Sequence, residues 1–150
     1  RRMDFKFRKV RDIQDIFVAG KKFAYLADRK LSYKDLETLP VMCLEGNTST
    51  RAYVEGFLRE NSVHLQPEFE LATSDMLIRF AMRGFGIAGV AEDFALEAME
   101  KGEIFRLHFD REIPKRHFCI VTDEKVPMTA AARRFLDLLE DKCTSDKNKT

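Results

Sequence analysis

The chain has 150 residues, with 26 Lys plus Arg against 25 Asp plus Glu, 45% hydrophobic residues, seven Gly and four Pro. That is material for one ordinary domain or two small lobes with a real core, and it excludes a disordered or collagen-like chain. The net charge of +1 gives no field that points to nucleic acid or a membrane surface, although residues 1–11 hold six basic side chains against Asp4 alone.

Cys43, Cys119 and Cys143 form no close pair, and an odd count leaves at least one thiol free. No secretory apolar region opens the chain, and no apolar run approaches bilayer length. These features predict a reducing, cytoplasmic setting and exclude a secreted disulfide scaffold or a membrane protein.

Taken in order, Asp4 to Val10 alternates and places Phe5 and Phe7 on one face of a strand. Ile13 to Gly20 is apolar without alternation, as in a strand covered on both faces. Lys21 to Lys30 reads as a basic loop. Ser32-Tyr33-Lys34-Asp35 has capping-box spacing and predicts a short helix ended by Pro40. Val41 to Leu44 is a buried strand, then a polar loop, then a helix with Thr50, Val54, Phe57, Leu58 and Asn61 along one stripe.

Phe69 to Ala72 is a strand, and Thr73 or Ser74 caps a helix carrying Met76, Leu77, Phe80 and Ala81 inward, with Gly84 at its left-handed end. Gly86 to Val90 is a strand of small residues. Glu92 to Lys101 is a helix closed by Gly102. Ile104 to Phe109 and Phe118 to Thr122 are strands around a Pro114 turn. Thr129 caps a last helix with Met128, Ala131, Ala132, Phe135, Leu138 and Leu139 on one face, before a polar tail. Strands alternating with helices predict an α/β fold with a parallel or mixed sheet.

In such sheets ligands gather beyond the carboxyl ends of strands, where helices begin. Two strand-to-helix junctions are polar: Asn47-Thr48-Ser49-Thr50 and Thr73-Ser74-Asp75. Each offers backbone N–H groups, hydroxyls and the positive end of a helix, a receptor for a small anion, although Ser and Thr are also ordinary caps. Neither has a phosphate-loop signature.

His108 and His117 flank the Pro114 turn near Cys119, where they are placed to face one another across two strands, but no zinc spacing matches and no metal or cofactor is expected. Cys43 and Cys119 read as strand residues, no serine stands in a nucleophile elbow, and Glu45 with Asp75 makes no supported acid–base pair, so an enzyme is not expected. The basic opening segment reads as a solvated strand edge, with a nucleic-acid arm as the alternative.

Several motifs then occur in a specific order: Leu36-Glu37-Thr38-Leu39-Pro40-Val41, Gly46-Asn47-Thr48-Ser49-Thr50-Arg51, Met82-Arg83-Gly84-Phe85-Gly86-Ile87-Ala88, and Pro127-Met128-Thr129-Ala130-Ala131-Ala132-Arg133-Arg134-Phe135. Over residues 4–140 this order resembles the effector-binding domain of LysR-type transcriptional regulators. The resemblance implies a two-lobed, periplasmic-binding-protein-like (type 2) domain of mixed sheets with flanking helices, and an incomplete first lobe. By analogy, residues 1–20 and 89–143 supply lobe I and the hinge strands, 21–88 form lobe II, and 144–150 is a disordered tail.

The resemblance further implies a small, anionic effector in the interlobe cleft, held by Asn47, Thr48, Ser49, Thr50, Thr73 and Ser74. It implies DNA binding only through an N-terminal winged helix-turn-helix outside these residues. A homo-oligomer of the full-length regulator is also implied, associating through the helix that begins near Ser49 and the strand near Phe69. Ala91 departs from the family's proline after the Gly86-Ile87-Ala88 strand, and Gly20-Lys21-Lys22-Phe23-Ala24-Tyr25 departs from its motif after the first crossover. A solute-binding or enzyme domain on the same scaffold is the alternative.

Overall fold

A computed structural model describes residues 5–147, with side chains described through Glu140. Nine strands run β1 (Phe5–Ile13), β2 (Asp15–Gly20), β3 (Lys30–Leu31), β4 (Val41–Leu44), β5 (Phe69–Leu71), β6 (Ile87–Ala91), β7 (Ile104–Arg106), β8 (His108–Phe109) and β9 (Arg116–Asp123). Four helices are α1 (Ser49–Glu60), α2 (Ser74–Met82), α3 (Glu92–Glu100) and α4 (Ala130–Lys147).

The chain divides into two compact units, residues 14–115 and residues 1–13 with 116–150. The larger unit is built on a five-stranded sheet of order β5-β4-β6-β2-β7. Strand β4 is parallel to both β5 and β6, and β2 is antiparallel to β6 and β7. The division between these units falls at Ile13/Gln14 and Lys115/Arg116. Strand β2 pairs with β6 from Asp15↔Ala91 to Val18↔Ala88.

Alternate residues of each strand feed two hydrophobic clusters on opposite faces of this sheet. Phe17, Ala19, Val41, Cys43 and Ile87 join Val54 and Leu58 of α1. Ile16, Val18, Met42, Ala88 and Val90 join Leu77, Ile78 and Ala81 of α2 and Ala95 and Ala98 of α3. The unbroken apolar run in β2 follows, since all six of its residues are buried and both faces are covered. A fully buried Leu58 or Leu77 contributes about 1.5–3 kcal/mol through loss of its water-exposed surface.

Most local expectations hold, with specific corrections. The segment Lys21–Leu26 is a 3-10 helix rather than a basic loop, because Phe23 and Leu26 turn into the core while the lysines stay outside. The capped element after Ser32 is a 3-10 turn, Tyr33–Glu37, in which the Ser32 amide donates to Asp35 Oδ2 at 2.9 Å. Helix α2 buries Ile78 and leaves Met76 on its exposed side, a rotation of one position from the predicted stripe. Gly84 and Gly102 adopt the left-handed conformation (φ 75° and 70°) that closes α2 and α3 without a Cβ clash.

Ile104–Phe109 breaks into two strands, and β8 pairs in parallel with β3 (Lys30↔His108) while β9 pairs with β1. The histidines at 108 and 117 therefore do not face one another across a shared ladder. Residues 110–115 join no ladder, and side chains take three of their carbonyls instead. Tyr33 Oη donates to Arg111 O, Gln14 Nε2 to Ile113 O and Tyr53 Oη to Pro114 O, each at 2.7 Å.

The smaller unit consists of the antiparallel β1–β9 ladder and α4. Thr129 caps α4, its Oγ1 accepting from the Ala132 amide at 3.1 Å. The helix continues through Lys147, into the segment predicted to be a disordered tail; residues 148–150 lie outside the described residues. The apolar face predicted for it is largely uncovered, with Phe135 61% and Leu138 57% exposed, because two strands offer a narrow surface. Phe5 and Phe7 share one face of β1 as expected but are likewise exposed.

Candidate functional site

Strand β4 runs into β5 on one side and, after α2, the chain returns to β6 on its other side. The order thus reverses between β4 and β6, which is the switch point where an open α/β sheet leaves a crevice at its carboxyl edge. Helix α1 begins there. Its first turn is held closely: the Thr48 amide donates to Glu45 O at 3.1 Å, and Thr48 Oγ1 donates to the same oxygen at 3.0 Å. Thr48 Oγ1 also accepts from the Arg51 amide at 3.2 Å, so it is the N-cap. Ser49 is the first residue of the helix and is exposed, and Thr50 behind it is half-buried. Asn47 is exposed in the turn ahead of the cap.

The second predicted turn is also an N-cap. Thr73 Oγ1 accepts from the Met76 amide at 3.3 Å, and Ser74 opens α2. Strands β4 and β5 are adjacent and parallel, in register at Leu44↔Leu71, so both helices start at the same end of the sheet. They leave on opposite faces, however: α1 covers one cluster and α2 the other. The structure therefore brings Asn47, Thr48, Ser49 and Thr50 together on one turn and Thr73 and Ser74 on a neighbouring one.

The two turns differ electrostatically. Helix α2 carries Asp75 in its first turn and α3 carries Glu92 and Asp93, so their positive ends are already compensated by carboxylates. Helix α1 has no acid in its first turn. Of the three α-helices of the 14–115 unit, it alone has no carboxylate in its first turn.

The residue sequence reasoning missed is Arg51, which is 8% exposed. One terminal nitrogen donates to Leu44 O at 2.9 Å and lies 3.2 Å from Glu70; the other lies 2.8 Å from Glu55. Its head thereby ties α1 to the ends of β4 and β5, and it fixes where the Thr48–Thr50 turn stands. Burial opposes its charge, but the hydrogen bonds and charges of Glu55 and Glu70 outweigh that and raise its pKa. Its Nε is buried without a partner. The four-residue spacings Arg51–Glu55 and Glu55–Arg59 were the legible signal for an ion-paired helix face.

A cavity of about 10 Å³ lies beside this turn, lined by Thr50, Arg51, Val54 and Glu55 of α1 together with Phe17, Cys43, Leu44, Leu65 and Gly89. Burial pushes the Cys43 thiol up to about 11, so it is a neutral wall and not a nucleophile. A second cavity of about 60 Å³ is lined by Asp15, Tyr33, Arg106, His108, Arg111 and Glu112 among others. Its charges compensate one another, with Arg106 3.0 Å from Glu92 and 2.8 Å from Glu112. Burial pushes the Tyr33 hydroxyl up to about 12, so it stays a donor to Arg111 O. Among the described residues no three His, Cys, Asp or Glu side chains converge as a metal site would need, and no helix is long and apolar enough to cross a membrane.

A mixed sheet with helices on both faces and a polar helix start at its switch point is the build of a ligand-receiving α/β domain. The family model for the LysR substrate binding domain matches residues 1–144, and the chain belongs to that family, one of transcription-factor domains rather than enzymes. No curated protein sequence matches it.

Solved structures agree on the fold, that of periplasmic-binding-protein-like (type 2) LysR regulatory domains. The regulatory domain of CcmR from Synechocystis PCC6803, in complex with 2-PG, superposes with a TM-score of 0.79 at 17% identity, over 91% of this chain and 66% of that one. The effector binding domain of QuiR in complex with shikimate gives 0.76 at 9% identity, over 95% and 66%. The bromide-bound regulatory domain of HypT from Salmonella typhimurium gives 0.73 at 15% identity, over 96% and 67%. The chain thus spans about two thirds of each of these chains.

Proposed function

We propose that this domain senses a small anionic metabolite, seated on the first turn of α1, and that the bound state alters DNA binding by a winged helix-turn-helix outside these 150 residues. The observation that carries this reading is the α1 N-terminus. It stands at the switch point, it is the one α-helix start of its unit without a carboxylate in its first turn, and its cap is a run of three hydroxyl residues. Relatives of the same fold hold 2-PG, shikimate or bromide, which supports a small polar or anionic guest.

In this reading Asn47, Ser49 and Thr50 supply N–H groups and hydroxyls to the anion, and Thr48 holds the turn in shape through its bonds to Glu45 O and the Arg51 amide. Thr73 and Ser74 supply hydroxyls toward the remainder of the guest, since Asp75 already satisfies the charge preference of their helix. An effector changes DNA affinity only by binding one conformation of the regulator better than another, so its coupling equals that difference in affinity. The parent regulator works in the cytoplasm as a homo-oligomer.

Thermal-shift measurements on the 150-residue chain test the site, using bromide, shikimate, 2-PG and a series of short carboxylates. A guest present at one hundred times its Kd adds about 2.7 kcal/mol, a rise in Tm of about 5–10 °C for a chain of this size. Thr50→Val should shrink the rise far more than Ser74→Ala. A rise unchanged by either substitution would contradict the assignment.

A further inference from the structure

The edge of an open sheet is a row of backbone donors and acceptors that another strand can take, and most edges in this chain are blunted against that. Strands β5 and β7, which end the five-stranded sheet, have three residues each, and β3 and β8 have two. Strand β1 has nine, but it carries exposed Lys6, Arg8, Lys9 and Arg11, and its register shifts between Lys9 and Arg11. Strand β9 has none of these defences. It has eight residues, residues 118–122 carry no charge, and Phe118, Cys119 and Val121 are exposed. Among the described residues its ladder has β1 as the one partner, and a two-stranded ladder is marginal by itself.

The ends of β9 say what can join it. Lys115 and Arg116 stand at its start, and Asp123 and Glu124 at its finish. A parallel neighbour of the same sequence would set like charges together, whereas an antiparallel one sets base against acid at both ends. We propose that the outer edge of β9 pairs antiparallel with β9 of a second copy of this chain, giving a four-stranded sheet of order β1-β9-β9-β1 about a twofold axis at Ile120.

That register places Arg116 opposite Glu124, His117 opposite Asp123 and Cys119 opposite Val121 of the second copy. Phe7 already lies opposite Val121 within the chain, so Cys119 of the second copy extends an exposed apolar row across the join. Both copies use the same edge, so association closes at two. The contact is a strand edge and not a broad face, which makes a reversible, concentration-dependent dimer. It is distinct from association through α1 and β5, the arrangement implied by the sequence resemblance.

Sedimentation velocity of the 150-residue chain at rising concentration should show the mass move from one chain to two and no further. Glu124→Lys should weaken the dimer about tenfold, because each reversed pair counts twice across the axis, and adding Arg116→Glu should restore it. Cys119→Lys, checked for an intact thermal transition, should leave a monomer, while Phe69→Lys on β5 should change nothing. With Cys143→Ser as background, a short bismaleimide should join Cys119 to Cys119 of the second copy. A single-chain mass at every concentration, growth beyond two chains, or a dimer that ignores Cys119→Lys and the charge exchange but is lost in Phe69→Lys would overturn the proposal.

Discussion

Ser49→Pro removes one N–H from the proposed anion seat and nearly nothing else. Proline is favoured at the first position of a helix, where the missing N–H has no intrahelical partner and φ is already near −65°. The residue before a proline must be extended, and Thr48 is, at φ −84° and ψ 148°. Ser49 is exposed, so the ring meets solvent. The fold should keep its stability or gain up to about 1 kcal/mol from a stiffer unfolded chain. Anion binding should fall by the worth of one charge-assisted hydrogen bond, about 1.5–3 kcal/mol, or roughly 10- to 150-fold in Kd. Ser49→Ala keeps the amide and isolates the hydroxyl. The assay pairs urea denaturation of the free chain with titration of the anion that gives the largest thermal shift. Unchanged affinity in Ser49→Pro, with the helix intact by circular dichroism, would refute the claim that this backbone group receives the anion.

Other consequences follow from the same geometry. Arg51→Met should cost about 1–3 kcal/mol in urea denaturation, since Leu44 O loses its donor while the half-exposed Glu70 recovers water; Arg51→Lys should lie between, lacking the fork that reaches both sides. Glu37 accepts from the His64 amide at 3.0 Å and from Lys34 at 2.9 Å, which holds its carboxyl below the ordinary 4.5. A carboxyl depressed in the folded state stabilises above the unfolded pKa and loses that contribution as pH falls through the folded value. Stability measured from pH 6 to pH 3 should therefore fall less steeply in Glu37→Gln. Mass-mapped thiol labelling at pH 8 should modify exposed Cys119 within the native chain and reach Cys43 only on unfolding; fast modification of Cys43 would contradict its burial.

The parts of this fold that were legible in the sequence are those set by local rules. The caps at Thr48 and Thr73, the left-handed ends at Gly84 and Gly102, and the buried runs in β2 and β4 follow from spacing and side-chain chemistry alone. What was not legible depends on partners far away in the chain. Lysines at 21 and 22 hid a 3-10 helix whose buried residues, Phe23 and Leu26, obey a period too short to stand out in six residues. The apolar stripe of α4 has helical spacing, but whether a stripe is covered depends on what else packs there, and two strands do not cover it. The split of the segment after Ile104 required knowing that β8 pairs with β3.

The candidate site shows the same division. Its hydroxyls and helix start were readable, because capping chemistry and anion-binding chemistry use the same groups. The contrast between α1 and α2 lay in the sequence as Asp75, yet it acquires meaning only once both helices are seen to open on one edge. Arg51, by contrast, carries no local signal of burial in the sequence. Its burial comes from Leu44 and Glu70, at the ends of two strands brought beside it by the sheet.

Amide-resolved NMR during anion titration addresses the central claim most directly, because it reports on each backbone N–H separately. Titrating the 150-residue chain with propionate should move the Ser49 and Thr50 amides first and furthest, with smaller changes at Ser74 and none at the Glu92 and Asp93 turn of α3. Saturable shifts centred on α2 or α3, with the Ser49 and Thr50 resonances unmoved, would contradict it.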